Sequence, residues 1–383
     1  MGISLRGMTW DHTRGYLPMV ATGQRFHELH PEVDILWERR SLQAFADYPL
    51  DQLIDQYDLL VIDHPWAGQA SQKGWLVPLD EYLSPGYLAG QERESVGQSY
   101  ISYQFDGHQW ALPIDAATPV AAWRPDIFHE TGFSKPENWS ELLDLAKHGL
   151  VILPAKEIDL LMHFYMVVHA IGGELFHDGR VASDQSGLRA LVRLRELVQL
   201  CPPEVLYWNP IQVYEVMTGQ DRYAYCPFAY GYANYAQRGY GRTRLEFGDL
   251  VRWDHGDALA SVLGGTGLAI SARSPHLKEA LAYAEFVGTP ETQTSLYAAA
   301  GGQPGSRSAW LDEALNESTA QYYRQTLPAL DRAYLRPRYP GYLFFQDHAG
   351  GIIHAYVKDG GDPADVMEQL NQLYRQSMEG GVR

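Results

Sequence analysis

A chain of 383 residues with a formal net charge of −17 is long enough for two or three folding units. It is too acidic to hold nucleic acid or an anionic membrane through a basic face. Hydrophobic residues at 45% and charged residues at 20% exclude a disordered chain and leave enough apolar mass for real cores.

From the N-terminus, an apolar run beginning at Ile3 reads as a first strand, and the stretch LRGMTWDHTRGY then gathers Trp10, Asp11, His12, Arg14 and Tyr16. A plain turn is built from Gly, Ser, Asn and Asp, so this residue choice marks a ligand loop at a strand end, with a capped helix start over a packed Trp10 as the alternative. YLPMVATGQRFHELHP carries helical spacing up to Pro31, VDILWERR reads as a second strand, and YDLLVIDHPW reads as a buried parallel strand ending in Asp63, His64 and Trp66. Strands alternating with helices are the α/β signature, and in such sheets ligands bind beyond the carboxyl ends of the strands. Gly107 marks a hairpin, and ALPIDAATPVAAW, with Pro113 and Pro119, reads as an extended interdomain crossing. SGLRALVRLRELVQL lines Leu188, Leu191, Val192, Leu194, Leu197 and Val198 along one helical face. YAYCPFAYGYANY holds more phenols than a hydrophobic core calls for, in a chain of 25 Tyr and 10 Trp, and aromatic faces of this kind suit sugars. LASVLGGTGLAIS resembles a second crossing, and an amphipathic helix with Val366, Leu370, Leu373 and Tyr374 on its apolar face closes the chain.

Motifs of catalysis are missing: no G-x-S-x-G, Walker A, complete G-x-G-x-x-G or H-E-x-x-H occurs. HELH at His27–His30 sets two imidazoles three apart without the further ligands a zinc site needs. Cys201 and Cys226 lack metal-type spacing and read as free thiols, with Cys226 conceivable as a nucleophile. No catalytic group, metal or cofactor is expected. No apolar run reaches the roughly 18 residues of a membrane span, and MGISLRGMTW lacks the basic-then-apolar pattern of a secretory leader.

Taken in order, YDLLVIDHPWAGQASQKGWLVPLDEYL, DGHQWALPIDAATPVAAWRPDIFHETGF, IGGELFHDGRVASDQSGLRALVRLRELV and KEALAYAEFVGTPETQTSLYAAAGGQPGSRSAW resemble the family 1 extracellular solute-binding proteins of bacterial ABC importers, the carbohydrate-binding, maltose-binding-protein-like type. The resemblance runs over nearly the whole chain. It implies an α/β, two-lobed periplasmic-binding-protein type II fold with a hinge and an interlobe ligand cleft. One lobe would comprise residues 1–115 plus 262–308 and the other 116–261 plus 309–383, with crossings near 115–119, 259–264 and 305–311.

Solute contacts then fall on Trp10, Asp11, His12, Arg14, Tyr16, Arg39, Asp63, His64, Trp66, Asp115, Gly265, Thr266 and Arg307. Phe228 and Tyr230 stand where the family's GPW-like segment carries stacking aromatics, although Cys226 replaces its Gly. His12, Arg14, Arg39, Arg40 and Arg307 could gather cations, which raises the expectation of an anionic solute beside that of a neutral sugar. The implied partners are a sugar, polyol or sugar acid and the permease subunits, with no nucleic acid, for a monomer that is periplasmic or extracellular. The alternatives are a cytoplasmic ligand sensor, suggested by the missing leader pattern, and an enzyme using Cys226 with Asp63 or Asp115.

Overall fold

The computed structural model describes residues 2–41, 50–253 and 256–379. The chain divides into two compact units: unit 1 is Met1–Ala117, Leu263–Glu317 and Arg338–Pro340, and unit 2 is Thr118–Val262, Ser318–Pro337 and Gly341–Arg383.

Unit 1 is built on strands β1 (Ile3–Trp10), β2 (Val33–Arg40), β3 (Leu59–Ile62), β6 (Leu112–Ala117) and β12 (Gly264–Ile270), in the order β2-β1-β3-β12-β6. A small hairpin, β4 (Gln104–Phe105) and β5 (His108–Gln109), turns through Asp106 and Gly107, both at positive φ. β1 runs parallel to β2 and β3, whereas β12 runs antiparallel to β3 and β6. The carboxyl ends of β1, β2, β3 and β6 and the amino end of β12 therefore meet at one sheet edge. Leu5, Trp10, Met19, Phe26, Trp37, Val61, Ile114, Leu268 and Tyr283 belong to one buried cluster that covers the sheet. Helix Thr13–Leu29 is tied to helix Leu277–Gly288 through Thr22 Oγ1 and Tyr283 Oη, 2.8 Å apart.

In unit 2, β10 (Tyr225–Tyr230), β7 (Pro119–Trp123) and β11 (Glu246–Gly248) form an antiparallel sheet in that order, with an irregularity between Cys226 and Ala229. Helices Glu157–Ala170, Asp184–Gln199, Tyr342–Asp359 and Pro363–Glu379 build the rest of its core. The hairpin β8 (Leu175–His177) and β9 (Arg180–Ala182) sets Phe176, at φ +56°, edge-on to Tyr165, Tyr342, Phe345 and Tyr374. On the helical face expected from SGLRALVRLRELVQL, Val192 is exposed while Leu191, Leu194, Leu197 and Val198 are buried. Val366, Leu370, Leu373 and Tyr374 are buried on the last helix.

The chain passes out of unit 1 after Ala117 and back at Leu263. The third passage comes after Glu317 rather than at 305–311, and the reason is local. Trp310 donates its Nε1–H to the Pro304 carbonyl at 2.7 Å, and Asn316 donates Nδ2–H to the Trp310 carbonyl at 2.9 Å, so this stretch closes on itself within unit 1. Arg338 also returns to unit 1, donating from its guanidinium to the carbonyls of Ile101, Ser102 and Gln104.

Candidate functional site

The edge of unit 1 where the strand ends converge holds most of the expected solute contacts. Trp10 closes β1, Arg39 lies near the end of β2, Asp63 and His64 follow β3, Asp115 lies near the end of β6, and Gly265 and Thr266 lie near the start of β12. Long-range sheet pairing brings these together from positions up to 256 residues apart, as Thr266 lies opposite Asp115 and Gly267 opposite Ile62.

The stretch Trp10–Tyr16 is not a loop throughout. Only Asp11 and His12 link β1 to helix Thr13–Leu29, and Arg14 and Tyr16 stand in its first turn. His12 is the N-cap, its Nδ1 accepting the Arg14 amide at 3.0 Å. Burial and then the neighbouring Arg14 push its pKa down to about 4, so His12 is a neutral acceptor rather than a cation. Trp10 is 3% exposed inside the unit 1 cluster, and its ring lies so close to Gly15 that a Cβ there would collide with it. Trp10 is therefore a core residue and not an open stacking face, which corrects the sequence expectation. Asp11 accepts from Arg39 at 3.1 Å on the surface, and the Arg39 guanidinium lies 4.8 Å from the centre of the Tyr16 ring.

Arg14 and Asp115 form the electrostatic centre of the edge. Arg14 Nε donates to Asp115 Oδ2 at 2.8 Å and its Nη2 to Oδ1, a two-point pair buried at both ends. Burial raises the Asp115 pKa, while Arg14 and the backbone amide of Gln303 act against that rise. Two of the expected solute-binding charges thus face each other. Gln303, in the turn GGQPGSR, was not among the expected residues: its amide serves the Asp115 carboxylate and its Nε2–H donates to the Ala116 carbonyl at 2.7 Å. The pair Gly301–Gly302 ahead of it was the available signal of a turn delivering the next side chain.

Asp63 is half-buried and accepts the His64 amide at 2.8 Å, while His64 is fully buried with its ring edge-on to Tyr103. Trp66 opens helix Trp66–Lys73 and is buried, so it offers no free face. Gly265 takes φ +93°, and a Cβ there would meet the Asp115 carbonyl, which is why the position needs glycine. Thr266 is buried, and its Oγ1 makes no hydrogen bond among the described residues. Arg307 begins helix Arg307–Leu311 and is half-buried.

In unit 2, Phe228 is 1% exposed, stacked 6.4 Å from Trp139 and edge-on to His163, so it belongs to the core and does not stack on solute. Tyr230 is half-buried at the end of β10. The phenols of YAYCPFAYGYANY mostly enter the core as well, contrary to the sequence expectation: Tyr223, Tyr225, Tyr232 and Tyr235 are all buried. Tyr235 donates to Glu215 at 2.7 Å, and the neighbouring Tyr214, on helix Pro210–Gly219, donates to the Ala229 and Tyr230 carbonyls at 3.1 Å. Cys226 is a fully buried free thiol whose pKa burial drives far up, which removes it as a nucleophile. Cys201 is also free and buried, with its pKa pushed up to about 12 by desolvation. His27 and His30 gain no further ligand, and no group of three His, Cys, Asp or Glu that could hold a metal exists among the described residues. No helix among them is long and apolar enough to cross a membrane.

The family model described as bacterial extracellular solute-binding protein matches residues 51–321, well over half the chain. The chain belongs to that family. This solute-binding protein is 29% identical over 126 residues to a mannitol-binding protein of Pseudomonas aeruginosa, a stretch that is 32% of this chain and 28% of the relative. The chain thus matches little more than a quarter of that relative's length. Among solved structures it is similar to maltose-bound T. maritima MalE3, with a TM-score of 0.83 at 18% identity over 98% of this chain and 100% of the other. It is equally similar to an ABC transporter solute-binding protein from Agrobacterium radiobacter in complex with ribitol, with a TM-score of 0.82 at 19% identity over 98% of both chains. The fold is accordingly that of the two-lobed α/β binding proteins, and the family is one of solute binding rather than catalysis.

Proposed function

We propose that this solute-binding protein captures a neutral sugar or polyol for an ABC importer, at the strand-end edge of unit 1. The observation that carries the neutral reading is the pairing of two of the edge's guanidinium groups: Arg14 with buried Asp115, and Arg39 with Asp11. With His12 neutral at physiological pH, three of the five groups expected to gather positive charge leave little of it for an anionic solute. The half-buried Asp63 carboxylate suits the hydroxyl donors of a polyol chain. The family membership, the mannitol-binding relative and the maltose- and ribitol-bound structural neighbours support a sugar-like class. On this reading the partners are the permease subunits, the protein acts as a monomer, and its place is outside the cytoplasmic membrane.

A thermal-shift screen with mannitol, ribitol and maltose, set against gluconate, glucuronate and a hexose phosphate, tests the proposal. A neutral solute binding at micromolar Kd and supplied at millimolar concentration adds about 4 kcal/mol to the folded state, a clear rise in Tm. Calorimetry then gives the Kd. A rise confined to the acids refutes the neutral class, and no rise with any of them refutes the sugar reading.

A further inference from the structure

We propose that Arg14 and Asp115 are positioning residues: their buried pair locks the solute-facing edge of unit 1 to the strands by which the chain leaves and re-enters that unit. The inference rests on the reading of this edge as the solute-binding face.

Asp115 stands two residues before the chain leaves unit 1 at Ala117 and pairs with Thr266, three residues after the return at Leu263. Its other flank is bridged to Pro304, with the Ala116 amide donating to the Gln303 carbonyl at 3.0 Å and the Gly305 amide to the Ile114 carbonyl at 3.1 Å. The carboxylate accepts from the Gln303 amide and from two guanidinium nitrogens of Arg14. Arg14 in turn bonds His12 through its own amide, and His12 caps the helix that follows Asp11. Four segments, 11–16, 112–117, 264–267 and 303–305, therefore meet at one ion pair. Arg14 is 4% exposed and Asp115 1% exposed, so neither can turn to a solute without leaving its partner as a buried unpaired charge. A planar guanidinium held at two points also fixes direction as well as distance, which a lysine would not do.

Hydrogen exchange on the full chain, without solute, tests the lock in Asp115→Asn, Arg14→Met and the double variant Arg14→Met with Asp115→Leu. The double variant removes both charges and leaves none unpaired, which guards against simple misfolding. Each single variant is expected to raise exchange at least tenfold in all four segments while β2 residues 35–37 stay protected. Faster exchange confined to the segment that carries the substitution overturns the proposal. In a second arm, whichever of mannitol, ribitol or maltose binds the wild type should bind the double variant at least tenfold more weakly at unchanged Tm. An unchanged Kd there makes the pair merely structural and also overturns it. If none of the three binds the wild type, the sugar reading fails, and the exchange arm still decides the role of the pair.

Discussion

Two buried ionisable groups in unit 2 predict an unusual dependence of stability on pH. Asp159, in the first turn of helix Glu157–Ala170, has no hydrogen-bond donor at Oδ2 among the described residues, and burial lifts its pKa from 3.8 to about 8. His163, one turn later, is lowered by burial from 6.5 to about 3, partly opposed by a hydrogen bond with the Phe228 backbone. Between pH 4 and 8 the folded chain holds a proton on Asp159 that the unfolded chain has released, so stability falls as pH rises. Between pH 3 and 6.5 the unfolded chain holds a proton on His163 that the folded chain lacks, so stability rises with pH. Each slope is about 1.4 kcal/mol per pH unit. The two cancel between pH 4 and 6.5, and above that range the Asp159 slope stands alone, a loss of about 2 kcal/mol by pH 8. Asp159→Asn removes one slope, so the difference in unfolding free energy between variant and wild type should move in the variant's favour by about 4 kcal/mol between pH 4.5 and 7.5. Urea unfolding of both proteins across that range, with exchange protection of helix Glu157–Ala170 as the local probe, measures it. A difference independent of pH would refute the reasoning, because it would mean that Asp159 is already ionised in the folded state.

Trp10→Ala should cost about 3–5 kcal/mol in the thermal unfolding of unit 1, as expected for an aromatic removed from a core. Solute affinity lost at unchanged stability would instead return Trp10 to the binding face. A thiol reagent at neutral pH should leave Cys201 and Cys226 unlabelled in the native chain and label both in urea, since burial holds both thiols protonated. Native-state labelling of Cys226 would reopen the nucleophile reading.

The order of elements was legible because strand-length apolar runs alternate with helical spacing, and the convergence of strand ends follows from parallel pairing alone. Trp10, Asp63 and His64 could be assigned to one edge on that ground, whereas Asp115 and Thr266 rested on the family resemblance, because β12 runs antiparallel and meets the edge by its amino end. Orientation at the edge was less accessible. Trp10 and Asp11 are neighbours, yet the first turns inward and the second outward, and the turn from strand to helix that decides this is set by Gly15 lying under the Trp10 ring. Phe228 misled for a related reason: its place in an aromatic run suits stacking on solute or on Trp139 equally well, and only the fold brings Trp139 alongside. The charges show the deepest limit. Counting arginines along the sequence suggested a cationic site, but Arg14 meets a carboxylate 101 residues away and Arg39 one 28 residues back. In a chain with 47 acidic and 30 basic residues, a guanidinium drawn into a partly buried edge is more readily neutralised by the protein's own carboxylates than left for a solute. The charge of such a site is therefore decided by long-range pairing, and the composition that excluded nucleic acid argues in the same direction against an anionic solute.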